Sequence, residues 1–172
     1  MENSIELQSI RKKADKVLIE FDMYKKAPVD VLKICKTNLI KVQLVVFKDE
    51  NIRAVIHKTE KEEEYSYEIF LNHKLSPFEQ RISIAHELGH YYMHREKLDK
   101  EMIVDVYKKV YSKSEIEADY FAKCLLLEEN SVEMLWDKIS DKNDVATIFK
   151  VTLDFLGERL KDLNLVDEQV GN

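Results

Sequence analysis

The chain has 172 residues, of which 45% are hydrophobic and 35% are charged, enough for one domain with its own core. A net charge of −6 argues against a protein whose main task is non-specific binding to nucleic acid or to an anionic membrane. No uncharged stretch approaches the ~20 apolar residues of a membrane-spanning helix, and the N-terminus lacks the apolar segment of a secretory signal. With only two cysteines, the sequence predicts a reduced, cytoplasmic protein.

The first part of the chain is predicted to be helical. Apolar residues from Leu7 to Phe21 recur at spacings of three and four, which is typical of an amphipathic helix. Pro28 is expected to open a short second helix over Val29 to Lys36, because proline is tolerated at the first helical position.

The hydrophobic period changes to two after Asn38. Alternating apolar and polar residues predict strands at Ile40 to Val46, Ile52 to Ile56 and Tyr65 to Leu71. The charged run from Lys58 to Glu64 is interpreted as a solvated loop or hairpin tip. Because the connections are short, we expect a small antiparallel sheet of about three strands.

The rest of the chain is predicted to be helical. Ser76, Pro77 and Glu79 have the pattern of a capped helix start, and that helix should run to about Glu96. Later helices are expected near residues 101–110, 114–128, 132–138, 144–149 and 152–163. The predicted fold class is therefore α+β, with the small sheet packed on a mostly helical body.

The helix after Ser76 contains the sequence His86-Glu87-Leu88-Gly89-His90. Residues four apart lie on one face of a helix, so the two imidazoles can bind one metal ion. Glu87 lies ~100° around the helix from His86, where its carboxylate can hold and deprotonate a water molecule beside the metal. A glycine inside a helix costs ~1 kcal/mol relative to alanine, and we infer that Gly89 lets another element approach this face.

A third ligand is expected from the next strongly predicted helix. Glu115 and Asp119 are one turn apart on that helix and share a face. We interpret Glu115 as the third zinc ligand, which leaves a fourth position open for water. Asp119 is interpreted as a group that orients a ligand imidazole. Glu117 stays an alternative ligand.

Three other residues receive simpler interpretations. His94 lies ~12 Å along the helix from His86, too far to share an ion easily, and is interpreted as a capping or surface residue. Cys35 and Cys124 occur in apolar surroundings and are expected in the buried core.

These motifs resemble those of the ImmA/IrrE-type metallopeptidases. The run from Ile84 to His94 is similar to the family's AHELGH helix with its trailing histidine. A second element of the family is matched by Glu115-x-Glu117-Ala118-x-x-Phe121-Ala122. The resemblance extends over about residues 28–165.

The resemblance implies a zinc-dependent, site-specific endopeptidase with a gluzincin-like ligand set. A zincin-like domain is then expected at residues 1–130, with a C-terminal helical segment at residues 131–172 packed on it or docking to it. Family members are typically regulatory, cleaving a helix-turn-helix transcriptional repressor, often on mobile elements or in stress responses. The implied role is that of an anti-repressor whose partner is a DNA-binding protein, without direct contact to nucleic acid or membrane.

Two details of the mechanism are not determined by the sequence. The oxyanion of a peptide hydrolysis needs a second stabilising group, and Tyr91, Tyr92, Tyr111 and Tyr120 are all nearby in sequence. A substrate peptide could add to a sheet edge as an extra strand, for which residues 65–72 are the predicted edge.

Two other functions stay open at this stage. The first is a non-catalytic regulatory or partner-binding protein with a structural metal site, since residues 145–160 are patterned as a helix-turn-helix. The second helix of that pair has a net charge of −1 (three acidic residues, Asp154, Glu158 and Asp162, against Arg159 and Lys161), so partner docking is favoured over DNA binding. The other is a toxin-linked protease, which would share the catalytic site and differ in its target.

Overall fold

The structure is a computed structural model that describes residues 2–59, 64–106 and 112–166. Most of the predicted charged loop at 58–64, and Tyr111 among the tyrosines considered above, lie outside these residues. Within the described ranges there are eight helices and four strands. In chain order they are α1 (Glu2–Glu20), α2 (Val31–Thr37), β1 (Ile40–Val45), β2 (Ile52–Lys58), β3 (Tyr67–Asn72), α3 (Pro77–Met93), α4 (Arg95–Leu98), β4 (Ile103–Val106), α5 (Lys113–Leu126), α6 (Glu129–Ile139), α7 (Lys142–Phe149) and α8 (Leu153–Asp162).

The four strands form one sheet in the order β1-β3-β2-β4. The α+β fold class is confirmed, with one strand more than predicted. β2 runs antiparallel to β3 and β4, but β1 runs parallel to β3, which corrects the all-antiparallel prediction. The third strand in sequence lies inside the sheet between β1 and β2, and its residues Tyr67, Ile69 and Leu71 are all at most 2% exposed.

β4 corrects a predicted helix. The sequence predicts a helix over residues 101–110, whereas Ile103–Val106 pairs antiparallel with β2. Three of its four residues are β-branched, which favours a pleated strand over a helix. The strand period is visible in the burial, because Ile103 and Asp105 are buried while Val104 is exposed. With β3 inside the sheet, the prediction of residues 65–72 as the edge is wrong, and β1 and β4 are the edges of the described sheet.

Local signals fix most helix starts. α3 has the predicted capping box, in which the Ser76 N–H donates to Glu79 Oε2 at 2.8 Å and the Glu79 N–H donates to Ser76 Oγ at 3.4 Å. The predicted start of α2 at Pro28 is wrong. The helix begins at Val31, and Asp30 is its N-cap. The Asp30 carboxylate accepts the Lys33 N–H at 3.0 Å, which satisfies one of the unpaired N–H groups of the first helical turn, whereas a proline side chain has no acceptor.

Helix α3 is the central element of the body. It packs on β2 and β3 on one side and on α5 on the other, and α1 packs on α5. Helices α7 and α8 contact each other across Lys150, a left-handed residue with φ of 57°, and Thr152 caps α8. This is the helix pair that the sequence predicts. Residues of α5 to α8 belong to the same core cluster as the sheet and α1, and the division of the chain near residue 130 stays a prediction.

The two cysteines confirm the predicted core positions. Cys35 and Cys124 are each 1% exposed, and burial raises their pKa to about 12 and about 11. Of the helices in the described ranges, not one has both the length and the apolar character that crossing a bilayer requires.

Candidate metal centre

The two motif histidines lie in the second half of α3, in the middle of a buried stretch. Every residue from Ser83 to Tyr91 is buried, and His90 is fully inaccessible. Because His86 and His90 are one turn apart, their Nε2 atoms converge to 3.1 Å.

Glu115 reaches these nitrogens from the first turn of α5. Ser112 caps that helix by accepting the Glu115 N–H at 3.3 Å, which fixes the start of α5. Glu115 Oε2 lies 3.2 Å from His86 Nε2, and Oε1 lies 3.3 Å from His90 Nε2. Among the residues that the structure describes, this trio is the cluster that could hold a metal ion.

The nearest contacts between the three donor side chains are compatible with a zinc site. Zinc binds imidazole nitrogen at ~2.0–2.1 Å and carboxylate oxygen at ~2.0–2.2 Å in tetrahedral sites, which puts neighbouring donors ~3.3–3.5 Å apart. The nearest contacts between these side chains are close to that value, with 3.1 Å between the two Nε2 atoms, 3.2 Å from Glu115 Oε2 to His86 Nε2 and 3.3 Å from Glu115 Oε1 to His90 Nε2. One ligand atom from each residue lies within 4.8 Å of the others. Two imidazoles and one carboxylate also form the donor set of a catalytic zinc site with one open position.

A close contact between helices lets Glu115 reach α3. A Cβ atom built on Gly89 would lie 2.9 Å from both Cα and the carbonyl oxygen of Ala118. The two helix backbones therefore touch where Gly89 has no side chain, as the sequence predicts. Ala118 is three residues beyond Glu115, so this contact sets the distance of the carboxylate from the imidazoles.

Asp119 lies at the other ring nitrogen of His86. Its Oδ1 is 2.8 Å from His86 Nδ1, which leaves Nε2 directed at the donor cluster. Burial by itself lowers the pKa of His86, but the carboxylates of Asp119 and Glu115 outweigh it and raise the pKa to about 10. The surroundings of His86 thus favour a positive charge. At His90 burial lowers the pKa to about 4, and the neighbouring His86 adds to this while Glu115 opposes it.

Glu87 is fully buried next to His86 in the same helix. Burial raises its pKa well above the ordinary range, and the carboxylates of Asp105 and Glu115 add to this while His86 opposes it. Neither carboxyl oxygen has a hydrogen-bond partner among the described residues. A buried polar group without a partner is costly, and it points to a ligand that the carboxyl group receives in the working protein.

The structure separates Glu117 from the ligand cluster. Glu117 Oε2 is 2.7 Å from His94 Nε2, and Oε1 is 3.8 Å from Lys113. His94 is the C-cap residue of α3, in line with the predicted capping position. The predicted surface position is wrong, because the His94 side chain is 13% exposed and lies between His90 and Glu117.

Asp105 is a site residue that sequence reasoning missed. It is 7% exposed on β4 and pairs with Arg53 at 3.7 Å. Together with His86, Asp119 and Lys123 it lines a cleft of about 260 Å³. Burial raises the pKa of Asp105, although His86 and Arg53 oppose this. The available signal was the run of β-branched residues around it, which places Asp105 on the buried face of a strand.

The described tyrosines have other partners. The Tyr91 hydroxyl donates to Asn38 Oδ1 at 3.3 Å, and the Asn38 amide donates to the Tyr92 hydroxyl at 2.9 Å. The ring of Tyr120 lies 5.9 Å from the guanidinium of Arg159. The oxyanion-stabilising group is therefore not assigned to any of these three.

Comparisons with known proteins place the fold and the family. A solved structure described as a Mycobacterium tuberculosis transcriptional regulator is similar with a TM-score of 0.62 and 15% sequence identity. The similarity covers 89% of this chain and 47% of that one, so the chain spans about half the length of that protein, and at this identity it shows the fold alone. No curated protein sequence gives a significant match. The sequence model of the IrrE N-terminal-like domain, a peptidase M78 family, matches residues 36–161, most of the chain. The chain therefore belongs to the IrrE N-terminal-like domain family.

Proposed function

We propose that the protein is a zinc-dependent, site-specific endopeptidase. The observation that carries the proposal is the buried carboxyl group of Glu87, without a partner in the described structure, next to a cluster of donors with zinc-like spacing. In a purely structural zinc site a fourth protein ligand takes the position of the metal-bound water, so a neighbouring carboxyl group would have no water molecule to contact. Membership of a peptidase family supports the same conclusion.

The residues of the chain divide the chemistry between them. His86, His90 and Glu115 would hold the metal, and Asp119 would keep His86 with Nε2 directed toward it. A bound zinc ion polarises a carbonyl group as a Lewis acid and lowers the pKa of a water molecule. Glu87 would accept the proton of the attacking water and deliver it to the leaving amine.

The substrate peptide would bind along β4. This strand is an edge of the described sheet, and Asp105 on it lines the same cleft as His86. Met102, just before the strand, is 62% exposed, and Val104 is 39% exposed, so apolar side chains are available to a partner strand. This edge replaces the predicted one, which lies inside the sheet.

From the resemblance of the motifs to those of the ImmA/IrrE-type metallopeptidases, we infer a regulatory role in which the substrate is a helix-turn-helix repressor. Cleavage would inactivate the repressor, making this protein an anti-repressor that acts in the cytoplasm. The acidic balance of the chain is consistent with a protein partner rather than with direct binding to nucleic acid.

The metal site is tested by elemental analysis of the purified protein beside three variants. About one zinc per chain is expected in wild type and in Glu87→Gln, with strong loss in His86→Ala and clear weakening in Glu115→Gln. Well-folded wild type without zinc, or with equal zinc after loss of His86, would refute the proposal.

The activity is tested by incubating the protein with any helix-turn-helix repressor that is encoded beside its gene. Wild type should produce one new N-terminus, identified by mass spectrometry, and Glu87→Gln should bind zinc but leave the repressor intact. If wild type binds zinc and cuts none of them, the assigned substrate class is wrong while the metal site stands.

A further inference from the structure

We propose that His94 and Glu117 form a positioning chain that orients the metal ligand His90. The inference rests on the metal site proposed above. It assigns to two residues outside the ligand cluster a specific task, namely to hold His90 with its Nε2 atom directed at the metal.

The contacts form one continuous chain behind His90. His90 Nδ1 lies 3.1 Å from His94 Nδ1, and His94 Nε2 lies 2.7 Å from Glu117 Oε2. Glu117 is held in turn by Lys113, one turn earlier on α5, which also pairs with Glu6 on α1 at 2.6 Å. The side chains of His94 and Glu117 are 13% and 17% exposed, so the chain is largely shielded from water.

The positions of the protons follow from the geometry. A neutral imidazole carries one N–H, and a metal ligand must present a bare nitrogen. With Nε2 of His90 directed at the donor cluster, its N–H is on Nδ1 and donates to His94 Nδ1. His94 then carries its own N–H on Nε2, which donates to the Glu117 carboxylate. This arrangement satisfies both hydrogen bonds of the chain and leaves His90 Nε2 free for the metal.

The two ligand imidazoles are thereby supported in parallel ways from one helix. Asp119 contacts His86 directly, whereas Glu117 reaches His90 through His94. An acidic residue that orients a ligand imidazole typically changes metal affinity about 10–100-fold when it is removed. His94 lies four residues after His90, on the same face at the end of α3, so the His94 imidazole can bridge the space between His90 and Glu117.

A merely structural role makes a different prediction. If His94 only capped α3, its loss would destabilise the metal-free protein and leave the zinc affinity of the folded fraction unchanged. If Glu117 acted independently of His94, the effects of the two losses on zinc affinity would add.

The experiment measures zinc dissociation constants by competition with a fluorescent chelator, together with urea unfolding of the metal-free proteins. We expect His94→Ala to weaken zinc about 10–100-fold and Glu117→Ala to weaken it about tenfold. Glu117→Gln should stay within about threefold of wild type, because the amide oxygen still accepts the His94 N–H. His73→Ala, the loss of an exposed histidine outside α3 and α5, is the matched control and should leave zinc affinity unchanged.

Two further measurements separate positioning from capping. The visible spectrum of the fully loaded cobalt protein should shift in His94→Ala, since the imidazole of His90 can then rotate. In the His94→Ala background, Glu117→Ala should weaken zinc by less than about twofold, because Glu117 acts through His94.

Wild-type affinity and spectrum in His94→Ala would overturn the positioning chain, and so would full additivity of the two alanine variants. Either result leaves the proposed peptidase intact, because wild type still binds zinc. Absence of zinc binding in wild type itself would instead overturn the proposed function together with this inference.

Discussion

Replacing Gly89 by alanine tests the backbone contact between α3 and α5. The new Cβ would lie 2.9 Å from Cα and from the carbonyl oxygen of Ala118, where carbon atoms in contact are normally ~3.5–4.0 Å apart. Since the obstacle is backbone, no rotamer change relieves it. Helix α5 must move away from α3 by about 0.6–1.1 Å, the difference between these distances.

The free energy of unfolding then reflects two opposing effects. Alanine in a helix is favoured over glycine by ~1 kcal/mol, while overpacking costs ~1–3 kcal/mol. With the backbone itself in the way, we expect the upper part of that range and a net loss of about 1–2 kcal/mol. Because Glu115 moves with α5, a shift of this size exceeds the ~0.2 Å tolerance of metal–ligand distances. Zinc affinity should therefore fall by about tenfold or more.

The chain provides a matched control in Gly157, which is also buried and helical. A Cβ on Gly157 would meet Lys142 Nζ at 2.6 Å and Cε at 3.1 Å, the end of a flexible side chain that can swing away. Gly157→Ala should therefore be neutral or stabilising by up to ~1 kcal/mol, with wild-type zinc affinity.

Urea unfolding of the metal-free proteins and chelator competition measure the two quantities. The reasoning is refuted if Gly89→Ala is as stable as Gly157→Ala and binds zinc like wild type. If Gly89→Ala loses zinc affinity but not stability, then α5 can move at little cost in the free energy of unfolding, and only the zinc affinity depends on the contact between Gly89 and Ala118.

Two further predictions concern buried groups away from the metal centre. Glu128, 4% exposed at the start of α6, accepts hydrogen bonds from the Asn130 side-chain amide and the Ser131 hydroxyl, both at 2.7 Å, and from the backbone N–H groups of the same residues at 3.0 and 2.9 Å. Burial opposes ionisation, but the two side-chain bonds, followed by the two backbone bonds, outweigh it and lower the pKa of Glu128. Glu128→Ala should lower the free energy of unfolding by about 1–2 kcal/mol at pH 7. The stability advantage of wild type over Glu128→Gln should shrink as the pH falls below ~4.5, because a carboxyl group with a lowered pKa stabilises the fold fully only above its pKa in the unfolded chain. An advantage that stays constant in urea unfolding between pH 7 and pH 4 would contradict this. The buried thiols of Cys35 and Cys124 have pKa values of about 12 and about 11. Both should resist alkylation by iodoacetamide at pH 8 in the native protein and react in urea, with the number of alkyl groups measured by mass spectrometry. Rapid alkylation of the native protein would contradict this.

Local patterns in the sequence were sufficient for the elements that form from near neighbours. The capping box before α3, the spacing of His86 and His90 on one helix face and the paired helices near the C-terminus all depend on residues within one or two turns of each other. Strand β4 shows the limit of such patterns. Four residues are too few for a clear period, and only pairing with β2 decides that this stretch is a strand.

Sequence alone determined that one helix carries two histidines and a glutamate in an arrangement suited to a metal, and that an acidic helix follows. It favoured Glu115 as the third ligand but kept Glu117 as an alternative, because both carboxylates occur within one turn of α5. The tertiary structure brings Glu115 to the imidazoles and Glu117 to His94, because the contact between Gly89 and Ala118 fixes how α5 lies against α3. The rotation of one helix against another is set by packing between residues far apart in sequence, and no local pattern contains it.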